Sequence, residues 1–299
     1  MKRLILLLSV VLLSVISLAK SNCIEARIFS PGSKELRAQK ITLSNGVELE
    51  YVESGNMSGT CVIFLHGFSD SWHSFGSVMN LMPEKFHVIA ISLRGHGNSS
   101  KPTTGYQAKD FSNDISLFIK EKKLGACVIA GHSMGGWIAQ QFAIDYPEFT
   151  KALILIDTDS NFADNPGVPE FLDGILKLKQ PVDRTFAREF QQSTLAKPID
   201  SLQLELFIGE SLKLPLYVWQ GIASELLAAD FSKGLQTVDA PTLIFWGSKD
   251  AFCLQKDQDN LVKNLRNEKL IVYEGTGHAL HWEEPNRFVA DLVNFISKL

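Results

Sequence analysis

Gly131-His132-Ser133-Met134-Gly135-Gly136 follows the apolar run Cys127-Val128-Ile129-Ala130 and precedes Trp137-Ile138-Ala139-Gln140-Gln141-Phe142-Ala143. The first run suits a buried strand and the second a helix. Between them a single serine sits among glycines, which allow a sharp turn and close backbone approach. Such a stretch is either a plain tight turn or a nucleophile held where a strand hands over to a helix. The strand before and the helix after favour the nucleophile. The turn lifts the Ser133 hydroxyl out at the carboxyl end of a sheet, beside the free N–H groups that open the new helix.

Runs like the one before Gly131 recur on both sides of it. Cys61 to Leu65, Val88 to Ile91, Ala152 to Ile156, Thr242 to Trp246 and Lys269 to Tyr273 are each short and apolar. Continuous rather than alternating apolar residues fit parallel strands covered on both faces. Leu36 to Leu43 and Val47 to Glu53 read as two further strands, with Asn45-Gly46 as a hairpin turn. Helical spacing appears in Phe111-Ile115-Phe118-Ile119, in Leu261-Leu265 and in Phe288-Leu292-Phe295-Ile296. Alternating strands and helices predict a doubly wound, mostly parallel α/β sheet.

The alternation stops after Asp157. From 158 to 233 the apolar residues are spaced for helices, as in Phe171-Leu172-Ile175-Leu176-Leu178, Leu202 to Leu206 and Val218 to Leu227. This is expected to be a helical cap inserted in a core made of 34–157 and 234–299. With 299 residues and 45% hydrophobic composition, the chain can bury one large core. Its 29 basic and 33 acidic residues show no long run of one sign, which argues against a nucleic-acid partner.

Residues 1–21 read as a signal peptide. Lys2-Arg3 precede an apolar stretch from Leu4 to Ala19, followed by Lys20-Ser21-Asn22 and offering small residues near a cut. The stretch is short of the roughly 20 apolar residues that a membrane span needs. The expectation is export, secreted or periplasmic, with no stable membrane insertion after cleavage; an uncleaved anchor is the alternative. Cys23 lacks a lipobox, since Lys20 and Asn22 stand where Leu and a small residue are wanted. Cys61 and Cys127 open buried runs and read as plain core thiols. No paired cysteine or histidine spacing of a zinc site is present, and no metal or cofactor is expected.

A serine hydroxyl needs a base. His278, in Gly275-Thr276-Gly277-His278, follows the last predicted strand and so reaches the same sheet edge. Its rival His281 stands near the start of the last helix, where packing or hydrogen bonding is the plainer role. Asp250 follows the strand ending at Trp246 and is the favoured acid to orient the base. Asp157 and Asp159, at the end of an earlier run, are the alternatives. The loop His66-Gly67-Phe68 follows the first buried strand, so the Phe68 and Met134 N–H groups are candidate oxyanion donors. His66 itself reads as a structural tie. Activity is expected to fall on acidification, because the base must be neutral to take the serine proton.

Taken together, His66-Gly67-Phe68, Arg94-Gly95-His96-Gly97-Asn98-Ser99, Gly131 to Gly136, Trp246-Gly247-Ser248-Lys249-Asp250 and Gly277-His278 resemble the α/β-hydrolase superfamily, from about Lys40 to the C-terminus outside the cap. The resemblance implies the α/β-hydrolase fold and a structural turn at Arg94 to Ser99. It also implies a serine hydrolase of the esterase/lipase-like branch. Epoxide hydrolases and haloalkane dehalogenases of this fold carry aspartate where this chain has Ser133, so an acyl-enzyme is expected instead of an alkyl-enzyme. Gly135-Gly136 is explained by the turn and not by phosphate binding.

The expected substrate is a small to medium, mainly apolar carboxylic ester or lactone, with Phe68 and Trp137 lining the pocket together with a few cap aromatics. Those aromatics are drawn from Phe162, Phe171, Phe186, Phe190, Phe207, Tyr217 and Trp219. The same three residues could instead serve C–C or amide hydrolysis, acyl transfer or perhydrolysis. A hydrolase-fold ligand-binding protein is the reading from another class, and an intact Ser133, Asp250 and His278 weighs against it.

Overall fold

The computed structural model describes residues 35–165 and 167–299. Residues 1–21, read above as a signal peptide, and Cys23 lie outside them. Eight strands form one sheet: β1 (Gln39–Thr42), β2 (Glu48–Gly55), β3 (Cys61–Leu65), β4 (His87–Ser92), β5 (Cys127–His132), β6 (Thr150–Ile156), β7 (Thr242–Gly247) and β8 (Glu268–Tyr273). Their order is β1-β2-β4-β3-β5-β6-β7-β8. β1 and β2 pair antiparallel, as does β2 with β4, and every other pairing is parallel.

Apolar runs without alternation suit the central strands because both faces are covered. In β3, Ile63 and Leu65 face one core cluster while Val62 and Phe64 face the other. The same split separates Leu153 and Leu155 from Ile154 and Ile156 in β6. Helices α1 (Gly76–Leu81), α2 (Ala108–Glu121) and α3 (Met134–Asp145) follow β3, β4 and β5. Phe111, Ile115, Phe118 and Ile119 of α2 are fully buried on the first face, as their spacing predicts.

Between β6 and β7 the chain forms α4 (Gly167–Leu176), α5 (Arg184–Ser193), α6 (Ser201–Ser211), α7 (Leu216–Ala228) and the short α8 (Ser232–Leu235), with no strand among the described residues. The sheet then resumes through α9 (Gln255–Asn264), and the chain ends on α10 (Leu280–Glu283) and α11 (Pro285–Ile296). α11 closes the second face with Phe288, Leu292 and Ile296. Cys61, Cys127 and Cys253 are free, buried thiols. No described helix is long and apolar enough to cross a membrane.

Candidate active site

Ser133 sits between β5 and α3 with φ 51° and ψ −117°, a left-handed conformation that costs a side-chain-bearing residue of order 1–3 kcal/mol. Neighbouring backbone holds it there. The Ser133 N–H donates to Ile156 O at 2.9 Å, and Thr158 Oγ1 donates to Ser133 O at 2.8 Å. The flanking glycines are needed for closeness. A Cβ on Gly131 would stand 2.1 Å from Gly135 O, and one on Gly135 would stand 2.0 Å from Leu65 O. The turn is therefore wedged between α3 and the end of β3, with no room for a larger residue.

The loop after β8 brings His278 to this turn. His278 Nε2 lies 2.8 Å from Ser133 Oγ, and His278 Nδ1 lies 2.8 Å from Asp250 Oδ2. Asp250 is itself fixed from behind, since its Oδ1 accepts from the N–H groups of Phe252 at 2.8 Å and Cys253 at 3.0 Å. Those bonds aim the second oxygen at the imidazole. Serine, histidine and carboxylate thus form one continuous hydrogen-bonded line at the carboxyl edge of the sheet.

The alternative acids stand elsewhere. Asp157, also left-handed at φ 43°, accepts from Gly247 N at 2.7 Å and Leu280 N at 3.3 Å. It ties the ends of β6 and β7 to α10. Burial, and then the charge of Asp250, push its carboxyl well above the ordinary range. Asp159 accepts from Ser160 N at 2.6 Å and is pushed up to about 7, chiefly by burial.

The other histidines are scaffolding. His66 donates from Nδ1 to Gly67 O at 2.8 Å, while its Nε2 accepts from Leu93 N at 3.0 Å. Burial lowers its pKa to about 4. His281, stacked on Phe75 and 3.2 Å from Ser74 Oγ, is lowered to about 3 by burial. His132 donates from Nε2 to His278 O at 2.7 Å and so steadies the backbone of His278.

Met134 is the first residue of α3, so its N–H has no acceptor within the helix. Phe68 lies three residues past the end of β3 and lines the same cavity as Ser133. An empty volume of about 410 Å³ opens beside Ser133 and His278, walled by Phe68 and by Phe162, Phe171 and Phe190 of the insertion. Phe252 joins them, its ring 4.9 Å from that of His278. Sequence patterning missed Phe252 as a wall, although its place two residues after Asp250 carries a signal.

Trp137 requires a correction. It does not line this cavity but is 1% exposed in the core, against Phe111 and Phe231. It sits one turn into α3, where the helix has already left the edge. Of the remaining cap aromatics, Trp219 is fully buried behind Phe68, Phe207 stacks on Trp282, and Tyr217 donates its hydroxyl to Lys101 O.

Among the described residues one group could offer ligand atoms to a metal. Asp250, Cys253 and His278 bring theirs within 4.8 Å of one another. Burial and the surrounding carboxylates push the Cys253 thiol well above its usual range, and its Sγ lies 3.5 Å from Asp157 O. The thiol stays protonated, which makes it a poor metal donor.

A strand–serine–helix turn, a histidine after the last strand and an aspartate after the strand beside it, joined by hydrogen bonds, define a class of protein. The family model of the alpha/beta hydrolase fold matches residues 60–285, and the chain belongs to that family. It is 26% identical to Lipase 3 of Moraxella sp. (strain TA144) over 260 residues, covering 84% of this chain and 81% of that protein. Against Lipase 1 of Psychrobacter immobilis it is 26% identical over 261 residues, with the same coverage. Among solved structures it resembles an esterase from Exiguobacterium antarcticum, with TM-score 0.81 and 25% identity over 87% of this chain and 100% of that one.

Proposed function

We propose that this protein is a carboxylic ester hydrolase acting through an acyl-enzyme on Ser133, with a small to medium, mainly apolar acyl group. The observation that carries the reading is the line from Ser133 Oγ through His278 to Asp250, with 2.8 Å at each step. Its relatives named lipase and esterase support the same reaction class.

In this reading Ser133 Oγ attacks the ester carbonyl carbon while His278 Nε2 takes the hydroxyl proton. The carbonyl electron pair moves onto oxygen, and the Phe68 and Met134 N–H groups receive the resulting oxyanion. Collapse breaks the bond to the alcohol oxygen, which leaves with the proton from His278. Water then attacks the acyl-enzyme and gives its proton to His278. The acid departs, and the proton returns to Ser133. Asp250 holds the tautomer in which Nε2 is free to accept and stabilises the imidazolium. The apolar walls Phe162, Phe171 and Phe190 favour an uncharged acyl chain.

The test is hydrolysis of p-nitrophenyl esters of rising acyl length by the wild type and by Ser133→Ala. Loss of about 10⁶-fold in kcat in the variant, with an unchanged melting temperature, is expected. Comparable turnover by both proteins would remove Ser133 from the reaction.

A further inference from the structure

β3 and β5 run side by side in the sheet, and both begin with a cysteine. Val62 pairs with Val128 and Ile63 with Ile129, so Cys61 and Cys127 stand abreast one step earlier. Their side chains leave the sheet on one face, into the core cluster that also holds Ile63 and Ile129. Neighbouring strands lie about 4.8 Å apart. That is within the Cα separation of about 4.4–6.8 Å that a disulfide spans. The two side chains also touch. Cys127 donates its S–H to Gly125 O at 3.3 Å, and the Cys61 thiol hydrogen-bonds to Cys127.

The folded protein shields this pair. Cys61 is 8% exposed and Cys127 is fully buried. The hydrogen bond to Cys127, and then burial, push the Cys61 thiol well above its usual range. Only a thiolate attacks a disulfide, so the folded pair reacts slowly. In a chain still folding, both thiols are in water and ionise in the ordinary range. The same shielding then works in reverse, because a bond already closed is out of reach of a reductant. Position matters as well. β3 leads into the loop that carries Phe68, and β5 ends next to Ser133. The cysteines sit at the far ends of these two strands, away from the site.

We propose that Cys61 and Cys127 form a disulfide when the chain folds under oxidising conditions, and that the bond locks β3 to β5. The proposal is independent of the ester chemistry. The oxidant it needs is a small disulfide of the glutathione class. The thiolate of one cysteine attacks that disulfide, whose S–S bond breaks and releases one glutathione thiolate. The other cysteine, as thiolate, attacks the protein sulfur of the mixed disulfide. The Cys61–Cys127 bond forms and the second glutathione leaves. Two protein thiols have then given up two protons and two electrons, and one small disulfide has become two thiols. The pairing of β5 with β6 shifts register between Cys127 and Val128, so the backbone at Cys127 is less tightly held on its far side and can make a small adjustment. A chain exported by residues 1–21 would fold where such oxidants are found.

The experiment refolds the full chain from urea in a buffer of reduced and oxidised glutathione. Remaining thiols are alkylated, and the peptides are mapped by mass spectrometry. A cross-linked pair containing Cys61 and Cys127 is expected, with Cys253 alkylated. The bridged protein should unfold at a urea concentration about 1 M higher than the reduced one, because the bond closes a long loop of the unfolded chain. Cys61→Ser should abolish that difference. The bond should resist dithiothreitol in the folded protein and yield to it in urea. If the chain does not refold, the same mapping on native protein held in the glutathione buffer at the foot of its urea transition decides. Alkylation of both Cys61 and Cys127 would overturn the proposal. So would a bond from either to Cys23 or Cys253, glutathione left on Cys61, or a bridged form with an unchanged urea midpoint.

Discussion

The sheet edge and the helical insertion meet at Ser133, and they are built on different terms. At the edge, positions are fixed by backbone and by single hydrogen bonds. Gly135 packs against Leu65 O, Ser133 N–H is held by Ile156 O, and the Asp250 carboxylate is aimed by two backbone N–H groups. In the insertion, positions are fixed by rings packed on rings. Phe171 stacks on Phe190 at 5.1 Å and 9°, and Phe190 meets Trp219 and Phe252 edge-on. Directional bonds have one solution, whereas ring packing has many of nearly equal energy. In the proposed reaction the chemistry would thus fall on the part that cannot move, and selectivity on the part that can be repacked.

The sharpest way to break this contrast is Asp250→Asn. The fold has no reason to change, because Oδ1 still accepts from Phe252 and Cys253. An amide at the second position favours the wrong imidazole tautomer, so kcat should fall about 10⁴-fold with little change in melting temperature. A loss below tenfold would mean that the line of hydrogen bonds does not orient the base.

Acid stability tests the edge through its scaffolding histidines. His66 and His281 have folded pKa values of about 4 and about 3, both lowered by burial. The unfolded chain, with histidine near 6.5, binds the more protons between those values. Each of these histidines therefore takes about 2 kcal/mol from stability between neutral pH and pH 5, while the raised carboxyls of Asp70, Asp157 and Asp159, which take up protons in the folded state over the same range, oppose the decline. Urea unfolding at pH 7 and pH 5 reads the net, to which His96 and His132 also contribute, and His66→Gln should make the change between the two pH values about 2 kcal/mol more favourable to the folded state. An unchanged difference in that variant would show that His66 is not the group that resists protonation.

Gly135→Ala probes the wedge beneath the nucleophile. An alanine in a helix ordinarily gains about 1 kcal/mol over glycine. Here its Cβ would lie 2.0 Å from Leu65 O and 2.7 Å from His66 O, backbone atoms at the end of β3 and the start of the loop after it. A net loss of about 3 kcal/mol is expected, at the upper end of overpacking, with activity falling further than stability. Thermal melts and p-nitrophenyl ester rates on one sample separate the two effects.

The same difference decides what can be read from a sequence. The edge was legible because its constraints act on residue type. Only glycine fits at 131 and 135, the strand before and the helix after favour a nucleophile over a plain turn for the serine between them, and runs such as Cys61 to Leu65 announce strands buried on both faces. The insertion was legible as helices, but its choice of walls was not. Phe162, Phe171 and Phe190 line the cavity while Phe207 and Tyr217 turn away, and nothing in helical spacing separates the two groups. Trp137 was misplaced for a related reason. One turn into α3 the helix axis has already carried its side chain under the sheet edge, toward Phe111.

The last substitution has a modest effect and bears most directly on the contrast. Phe171→Ala removes a half-buried ring from the apolar wall, so the cost should be about 1 kcal/mol, well below the roughly 3–5 of a closed core site. The rate-determining geometry at Ser133 should be untouched, because no hydrogen bond of the edge passes through Phe171. What should change is length preference. Each methylene of an acyl chain that the widened cavity admits is worth about 0.8 kcal/mol of binding. Rates for short esters therefore fall slightly, and the optimum moves to longer chains. A p-nitrophenyl series on the variant reads both. If the optimum stays and all rates fall in proportion, Phe171 supports the edge instead of shaping the cavity, and the division between a fixed edge and an adaptable wall fails at that residue.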